Sequence, residues 1–202
     1  MLRIRNEDPE ASVLLLRTLS RGGVAILPTD TLYGFSTALS SRRGHERIAI
    51  LKGAALERRF LYVAGGVDMV GRYIDGWGCV SRDVLDRVWP APFSAIFRAG
   101  KACPAWVGKT IAVRVPAKEW LRKAVDALGE PILSTSVNEA GDPPLEDPDT
   151  IDRMFGSAID VLIDGGLLAN AEPSTLVDFT GTRPVILRRG VYVWEDGGKP
   201  SN

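Results

Sequence analysis

The sequence predicts a single-domain α/β protein in which a twisted sheet of parallel and antiparallel strands is flanked by helices. Segments with strand patterns and amphipathic segments alternate irregularly, without the strict strand–helix–strand repeat of a doubly wound parallel sheet. The 202 residues suit one domain with a full core, and 45% of them are hydrophobic while 25% are charged. No internal repeat or low-complexity segment interrupts this pattern.

The N-terminal half of the chain begins with a helix that Asp8 can cap and that Gly22 and Gly23 end. The apolar run 24–27 predicts a buried strand, and the segment 28–35 (PTDTLYGF) that follows is rich in hydroxyls and turn formers. The other elements predicted in this half are a helix over 45–52, a strand and turn over 60–66, and helices over 67–74 and 81–88, the last capped by Ser81.

Strand patterns dominate the chain after Pro90. An amphipathic helix over 117–128 stops at Gly129, and another helix begins near Pro148 after Asp147. The predicted strands of this half cover 93–97, 111–116, 131–136, 161–164, 174–179 and 185–189.

Composition limits the classes of function. The 25 basic and 25 acidic residues balance, so the net charge does not indicate nucleic-acid binding, although a basic groove opposite an acidic face stays open. Cys79, Cys103 and the lone His45 are too few for an ordinary structural zinc site, and free thiols are expected. Because no apolar run approaches about 20 residues and the N-terminus resembles no signal peptide, we expect a cytoplasmic protein without a membrane partner.

The hydroxyl-rich segment after the first strand is the strongest local signal. Thr29, Asp30, Thr31 and Tyr33 place four polar groups at the edge of the sheet beside Gly34. Such groups can hold a small zwitterion or a phosphate. They can equally stabilise a turn through their own side chains, and chemistry alone leaves the two interpretations open.

A second polar cluster, STSVN over 134–138, lies at the end of the strand predicted over 131–136. Ser136 and Asn138 lie on the same side if the extended conformation continues, where they could bind phosphate or ribose oxygens. The alternative is a loop of Asx-turn residues.

Basic residues recur near the ends of the predicted elements, and Arg114 lies within an apolar strand. A buried guanidinium needs a partner, which is either a protein carboxylate or a bound anion. His45, between charged neighbours, is predicted to be a solvated helix residue. The remaining basic residues of this kind are Lys52, Arg58, Arg59, Arg188 and Arg189.

Several familiar enzyme motifs are absent from the sequence. It contains no G-x-x-x-x-G-K-[ST] loop, no G-x-G-x-x-G after a strand and no G-x-S-x-G elbow. With one histidine and no obvious nucleophile beside it, the sequence predicts no catalytic triad. Any catalysis is therefore expected to depend on positioning and positive charge.

The order of the motifs resembles the YrdC family. The resemblance runs from about Gly22 to Gly190 and implies one YrdC-like domain over residues 1–202, with a positively charged concave surface on a twisted α/β sheet. The motifs that carry it are PTDTLYGF, LKG, WPAPFSAIF, IAVRVP, STSVN, PSTLVDF and VILRRG.

Active members of that family are threonylcarbamoyl-AMP synthases. The resemblance implies that the chain joins L-threonine, bicarbonate and ATP into threonylcarbamoyl-adenylate and releases pyrophosphate. It also implies that Mg²⁺ accompanies ATP and bridges its phosphate oxygens, with no metal held by protein side chains. The implied partners are the tRNA threonylcarbamoyl transferase machinery and an RNA, either tRNA or double-stranded RNA.

The resemblance also implies roles for individual residues. Lys52 would contact the phosphates as a catalytic cation, with Arg58 aligned to the next basic residue of the family. Threonine would be held by Thr29, Thr31 and Arg114, and the nucleotide would be bound by Ser136, Asn138, Ser174 and Arg188.

One departure from the family pattern concerns the Lys-x-Arg motif, which reads Lys52-Gly53-Ala54 here. Losing one preorganised cationic donor costs about 100- to 1000-fold in rate. The chain is therefore either a synthase or a YciO-like paralogue that binds RNA or a nucleotide with little adenylate synthesis. The retained Ser136-x-Asn138 pair favours the synthase.

Overall fold

The computed structural model describes residues 1–53, 60–168 and 172–195 of the chain, and it confirms the predicted α/β class with a mixed sheet flanked by helices. Six α-helices are found in the described part, namely α1 (Glu10–Ser20), α2 (Arg42–Leu51), α3 (Val67–Tyr73), α4 (Arg82–Val88), α5 (Glu119–Leu128) and α6 (Pro148–Phe155). The strands of the same part are β1 (Leu2–Arg5), β2 (Ala25–Pro28), β3 (Tyr33–Ala38), β4 (Leu61–Val63), β5 (Phe93–Arg98), β6 (Thr110–Arg114), β7 (Ile132–Ser136), β8 (Val161–Asp164), β9 (Thr175–Asp178) and β10 (Val185–Arg188).

These strands form one sheet in the order β1-β8-β2-β3-β7-β4-β6-β5-β9-β10. The pairs β1/β8, β2/β8, β4/β6 and β5/β9 are parallel, whereas β2/β3, β3/β7, β4/β7, β5/β6 and β9/β10 are antiparallel. This arrangement places the turn after β2 and the ends of β6 and β7 in the central part of the sheet. Residues distant in sequence therefore meet there.

Helix α1 shows how amphipathic spacing produces the packing. Its buried residues Ala11, Leu15 and Leu19 recur every four positions and so form one face of the helix, which packs near α5 and the sheet. Helix α2 approaches β3 at Gly44, where an added Cβ would collide with the hydroxyl of Thr37. A glycine at this position therefore lets the helix lie directly on the strand.

The predicted helix starts are largely reproduced. Asp147 caps α6 by accepting from the backbone N–H groups of Asp149 and Thr150. Asp8 accepts from the Glu10 N–H at 2.9 Å, whereas Ser81 occupies the N-cap of α4 without a capping hydrogen bond.

Two strands were not predicted. β1 is a short, mostly exposed edge strand, whose sequence LRIR has no long apolar run to mark it. β3 is fully buried, but Ser36 and Thr37 interrupt its apolar pattern. It is a strand because β2 pairs with one of its edges and β7 with the other, which local sequence does not reveal.

The prediction that His45 is solvated is wrong. The residue is 4% exposed, its Nδ1 lies 2.7 Å from the Ser41 carbonyl oxygen, and its Nε2 lies 3.1 Å from the Tyr62 hydroxyl. A carbonyl can only accept, so Nδ1 carries the proton and Nε2 accepts from Tyr62. The charged neighbours of His45 point away because successive helix residues lie about 100° apart.

Burial lowers the pKa of His45 below its ordinary value of 6.5, since the charged ring would lose its hydration. We therefore expect the free energy of unfolding to fall as the pH drops below about 6.5, because the unfolded chain then binds a proton that the folded chain does not. The slope is at most about 1.4 kcal/mol per pH unit, and it ends at the lower pKa of the folded state.

Urea unfolding at pH 7.5, 6.5 and 5.5 measures this dependence for the wild type and for His45→Gln. The difference in unfolding free energy between the two proteins should shrink as the pH falls, because the glutamine does not titrate. Parallel pH profiles for the two proteins would contradict a neutral buried His45.

Candidate active site

A cavity of about 400 Å³ opens at the centre of the sheet. The turn between β2 and β3 forms one part of its wall, while β5, β6 and β7 contribute others, and the start of β9 with β10 completes it. The predicted site residues that line this cavity are Thr29, Thr31, Arg114, Ser136, Ser174 and Arg188.

Arg114, at the end of β6, is the buried cation of the site. Its side chain is 3% exposed and its Nη2 lies 3.4 Å from Oδ1 of Asp30, whose side chain is 8% exposed. Nη1 donates to Thr31 Oγ1 at 2.8 Å, and Nη2 donates to Thr29 Oγ1 at 3.3 Å. The carboxylate partner expected for a buried guanidinium is therefore present, and the same group also lines the cavity.

Burial destabilises the charged form of Arg114. Burial lowers its pKa, the carboxylate of Asp30 opposes that effect, and the positive charge of Arg188 adds to it. Arg114 Nε is buried and has no hydrogen-bond partner within the described ranges. A carboxylate bound in the cavity would add compensation for this charge.

In the turn over 29–32, one threonine hydroxyl stabilises the turn and another lies at the cavity. Thr29 Oγ1 donates to the Leu32 carbonyl oxygen at 2.8 Å and accepts from the Thr31 N–H at 3.1 Å, so it stabilises the turn. Thr31 Oγ1 instead accepts from Arg114 and lies at the cavity. The turn thus fixes the hydroxyls beside the guanidinium.

Ser174 and Arg188 meet in another part of the cavity wall. Arg188 donates through Nε to the Ser174 carbonyl oxygen at 3.0 Å and through Nη2 to Ser174 Oγ at 3.1 Å. Ser174 Oγ also lies 2.8 Å from Oγ of the fully buried Ser94. Partial desolvation lowers the pKa of Arg188, and no carboxylate of the described residues forms an ion pair with it.

The cavity is electrostatically positive. Arg114 and Arg188 both line it, whereas its described lining includes no aspartate or glutamate. Asp30 lies behind Arg114 and neutralises one of the two charges. An anion is therefore the ligand that this surface attracts most strongly.

Lys52 and Asn138 lie next to the cavity without lining it. Lys52 is 1% exposed and its Nζ donates to Asn138 Oδ1 at 2.7 Å. Asn138 Oδ1 in turn accepts from the Ser136 hydroxyl at 2.6 Å. The structure thus joins both residues to the site through Ser136, while Arg58 lies outside the described residues.

Two contacts within the site were not predicted from the sequence. Ser94 contacts Ser174 across a separation of 80 positions, and Asp30 pairs with Arg114. The only local signal for Ser94 is a polar residue inside the apolar segment FSAIF. Only the pairing of β5 with β9 places Ser94 beside Ser174.

The described residues include no group of three or more His, Cys, Asp or Glu side chains arranged to hold a metal ion. None of their helices is both long and apolar enough to cross a membrane.

Comparison with known protein families decides the membership of the chain. The model of the Sua5/YciO/YrdC domain, described as "Telomere recombination", matches residues 17–190. The chain belongs to this family.

Curated relatives of the chain include proteins named threonylcarbamoyl-AMP synthase and proteins named YciO. A threonylcarbamoyl-AMP synthase of Nitrosococcus oceani is 31% identical over 168 residues, which cover 82% of this chain and 91% of the relative. A second synthase, of Marinobacter nauticus, is 32% identical over 82% of this chain and 89% of the relative. YciO of Escherichia coli, named uncharacterized, is 27% identical over 93% of this chain and 94% of its own length.

Solved structures agree on the fold of the family. The crystal structure of E. coli YciO has a TM-score of 0.82 at 26% identity and covers 94% of both chains. Sua5 of P. abyssi in complex with L-threonine has a TM-score of 0.83 at 23% identity, over 95% of this chain. The chain spans 57% of the length of that Sua5 chain.

Proposed function

We propose that this chain is a threonylcarbamoyl-AMP synthase that converts L-threonine, bicarbonate and ATP into threonylcarbamoyl-adenylate, pyrophosphate and water. The observation that carries the proposal is the cavity in which Arg114, with its two threonine hydroxyls, and Arg188, with Ser174, face the same space. The names of the relatives from Nitrosococcus oceani and Marinobacter nauticus support the same reaction.

The surroundings of Arg114 suit the amino-acid substrate. A guanidinium can pair with the carboxylate of threonine, and Arg114 lines the cavity. The hydroxyls of Thr29 and Thr31 lie beside it. Thr29 Oγ1 is engaged by the turn and by Arg114, so it positions the guanidinium, while Thr31 Oγ1 keeps a lone pair that can accept from the ammonium or hydroxyl group of the amino acid. Thr29, Thr31 and Arg114 are therefore assigned to threonine.

The surroundings of Arg188 suit the nucleotide. In the proposed step, a carbamate oxygen of the carboxylated threonine attacks the α-phosphorus of ATP, and the bond from that phosphorus to the bridging oxygen of pyrophosphate breaks. Negative charge then moves to the leaving group, so a cation without a carboxylate partner stabilises the transition state. Ser174 holds Arg188 in place, and Ser136 with Asn138 is assigned to the nucleotide.

The wider setting follows from the proposed reaction. Mg²⁺ is proposed to enter with ATP, where it would neutralise phosphate charge. The adenylate is proposed to pass to the tRNA threonylcarbamoyl transferase machinery in the cytoplasm, and RNA is a further proposed partner. Arg58 is proposed as the cation that replaces the arginine of the family's Lys-x-Arg motif, whereas Lys52, the lysine of that motif, lies behind Ser136 and acts on the site from there.

The direct test supplies ATP, Mg²⁺, bicarbonate and threonine and measures pyrophosphate release and the adenylate by mass spectrometry. We expect threonine-dependent release in the wild type at a reduced rate, because position 54 holds alanine where the family has arginine. The variant Ala54→Arg restores a cationic donor and should raise kcat by about 100- to 1000-fold.

Omission of threonine is the matched control, since a contaminating ATPase releases phosphate without it. No adenylate from either the wild type or Ala54→Arg would contradict the proposal. Nucleotide or RNA binding without turnover in the wild type, together with activity in Ala54→Arg, would instead support the YciO-like alternative.

A further inference from the structure

Lys52 is a buried lysine whose ammonium group is surrounded by acceptors of one loop. Its Nζ donates to the carbonyl oxygens of Ser136 at 2.7 Å and Asn138 at 3.1 Å, and to Asn138 Oδ1 at 2.7 Å. The backbone carbonyl of Lys52 also accepts from the Ala140 N–H at 3.0 Å. Both the backbone and the side chain of Lys52 therefore hold the loop that follows β7.

These contacts fix which way the amide of Asn138 points. Its Oδ1 accepts from the Lys52 ammonium, which has only donors, and its Nδ2 donates to the carbonyl oxygen of Asp142 at 2.7 Å. A flipped amide would place NH₂ against the ammonium and oxygen against a carbonyl. The positive charge of Lys52 thus determines the orientation of Asn138.

The orientation of Asn138 in turn determines where the Ser136 proton lies. The two oxygens are 2.6 Å apart, and Asn138 Oδ1 can only accept, so the Ser136 hydroxyl donates its single proton to it. Ser136 lines the cavity. It therefore presents only lone pairs to a ligand and acts there as an acceptor.

We propose that Lys52 is a positioning residue that acts through Asn138 to make Ser136 an acceptor for a ribose hydroxyl of the nucleotide. Ionised phosphate oxygens are themselves acceptors and cannot pair with such a group, whereas ribose hydroxyls are donors. The ribose is also covalently next to the α-phosphate that the cation Arg188 of the same cavity attracts. The inference rests on the proposed function only in taking ATP as the ligand.

Calorimetric titration without threonine or bicarbonate tests the inference. The ligands are ATP, its 2′-deoxy and 3′-deoxy analogues, and purine riboside triphosphate, which lacks the adenine amino group. We expect the wild type to bind ATP about 3- to 10-fold more tightly than one deoxy analogue, as for the loss of one neutral hydrogen bond. Purine riboside triphosphate measures the adenine amino group, the other donor of the nucleotide.

The preference for ATP over the deoxy analogue should disappear in Ser136→Ala, Asn138→Ala and Lys52→Met. It should persist in Asn138→Asp, because a carboxylate still pairs with Lys52 and still accepts from Ser136; the lost hydrogen bond to the Asp142 carbonyl should weaken all the ligands alike and leave the ratio intact. A residue that merely stabilised the loop would weaken all four ligands equally and leave the ratio unchanged. If Lys52→Met fails to fold, the contrast between Asn138→Ala and Asn138→Asp decides.

An unchanged ratio in Ser136→Ala or Lys52→Met overturns the inference, and so does a variant effect confined to purine riboside triphosphate. Pyrophosphate release by the wild type with an unchanged ratio in the variants contradicts this inference and leaves the proposed function standing. If the ratio changes as expected but no pyrophosphate is released, the inference stands and the proposed function is contradicted. Absence of ATP binding by the wild type overturns both.

Discussion

Replacing Arg114 with methionine is expected to lower the free energy of unfolding by about 3–5 kcal/mol, the usual cost of removing one partner from a buried ion pair. Asp30 would remain 8% exposed without its guanidinium partner. The same variant should lose threonine-dependent pyrophosphate release, since the guanidinium is the only described cation beside Thr29 and Thr31 that lines the cavity. Urea unfolding and the pyrophosphate assay measure the two effects.

A double variant separates the loss of stability from the loss of function. Arg114→Met with Asp30→Asn removes both charges, and the amide oxygen at position 30 can still accept from the Ala117 N–H, as Asp30 Oδ2 does at 2.9 Å. Stability should then largely return, while threonine-dependent release should not. Restored release in the double variant would show that Arg114 serves only to neutralise Asp30.

Replacing Arg188 with alanine is expected to lower kcat for adenylate formation by about 100- to 1000-fold, the typical effect of removing one preorganised donor from a transition state. Arg188 has no carboxylate partner in the described ranges, so its charge is available to the phosphates. Arg188 belongs to β10, at the edge of the described sheet. Loss of its two hydrogen bonds to Ser174 should lower the free energy of unfolding by about 1 kcal/mol.

Arg189→Ala is the matched control, because it removes the same charge from the adjacent position, which does not line the cavity. It should leave kcat within about twofold of the wild type and the melting temperature nearly unchanged. Equal decreases of kcat in the Arg188 and Arg189 variants would indicate a general effect of net charge. That result would remove Arg188 from the proposed site.

Periodicity and terminal signals predicted the elements whose structure depends mainly on nearby residues. Helices α1 and α6 follow amphipathic spacing and acidic cap residues, and both were found where the sequence placed them. β3 was missed because it contains buried hydroxyls and becomes a strand only between β2 and β7. His45 was misassigned because its charged neighbours gave no indication that its own face of α2 packs inward.

The candidate site was also predicted in part from the sequence and missed in part. The residue types and motif order indicated that hydroxyls and cations at strand ends would converge, and the cavity brings together Arg114, Ser136, Ser174 and Arg188. The sequence could not reveal that Asp30 compensates Arg114, since the buried partner of a charge depends on which elements become neighbours. It also did not reveal that Lys52 is committed to the loop behind Ser136.

By itself, the sequence determined the α/β class, the family and the chemical types of the groups available for a site, because these depend on composition, local spacing and motif order. The tertiary structure alone decided which groups share the cavity, which cation has a carboxylate beside it and which way the Ser136 proton points. Those properties depend on distances of a few ångströms between residues far apart in the sequence, such as Thr29 and Arg114, which are 85 positions apart, and strand pairing sets such distances.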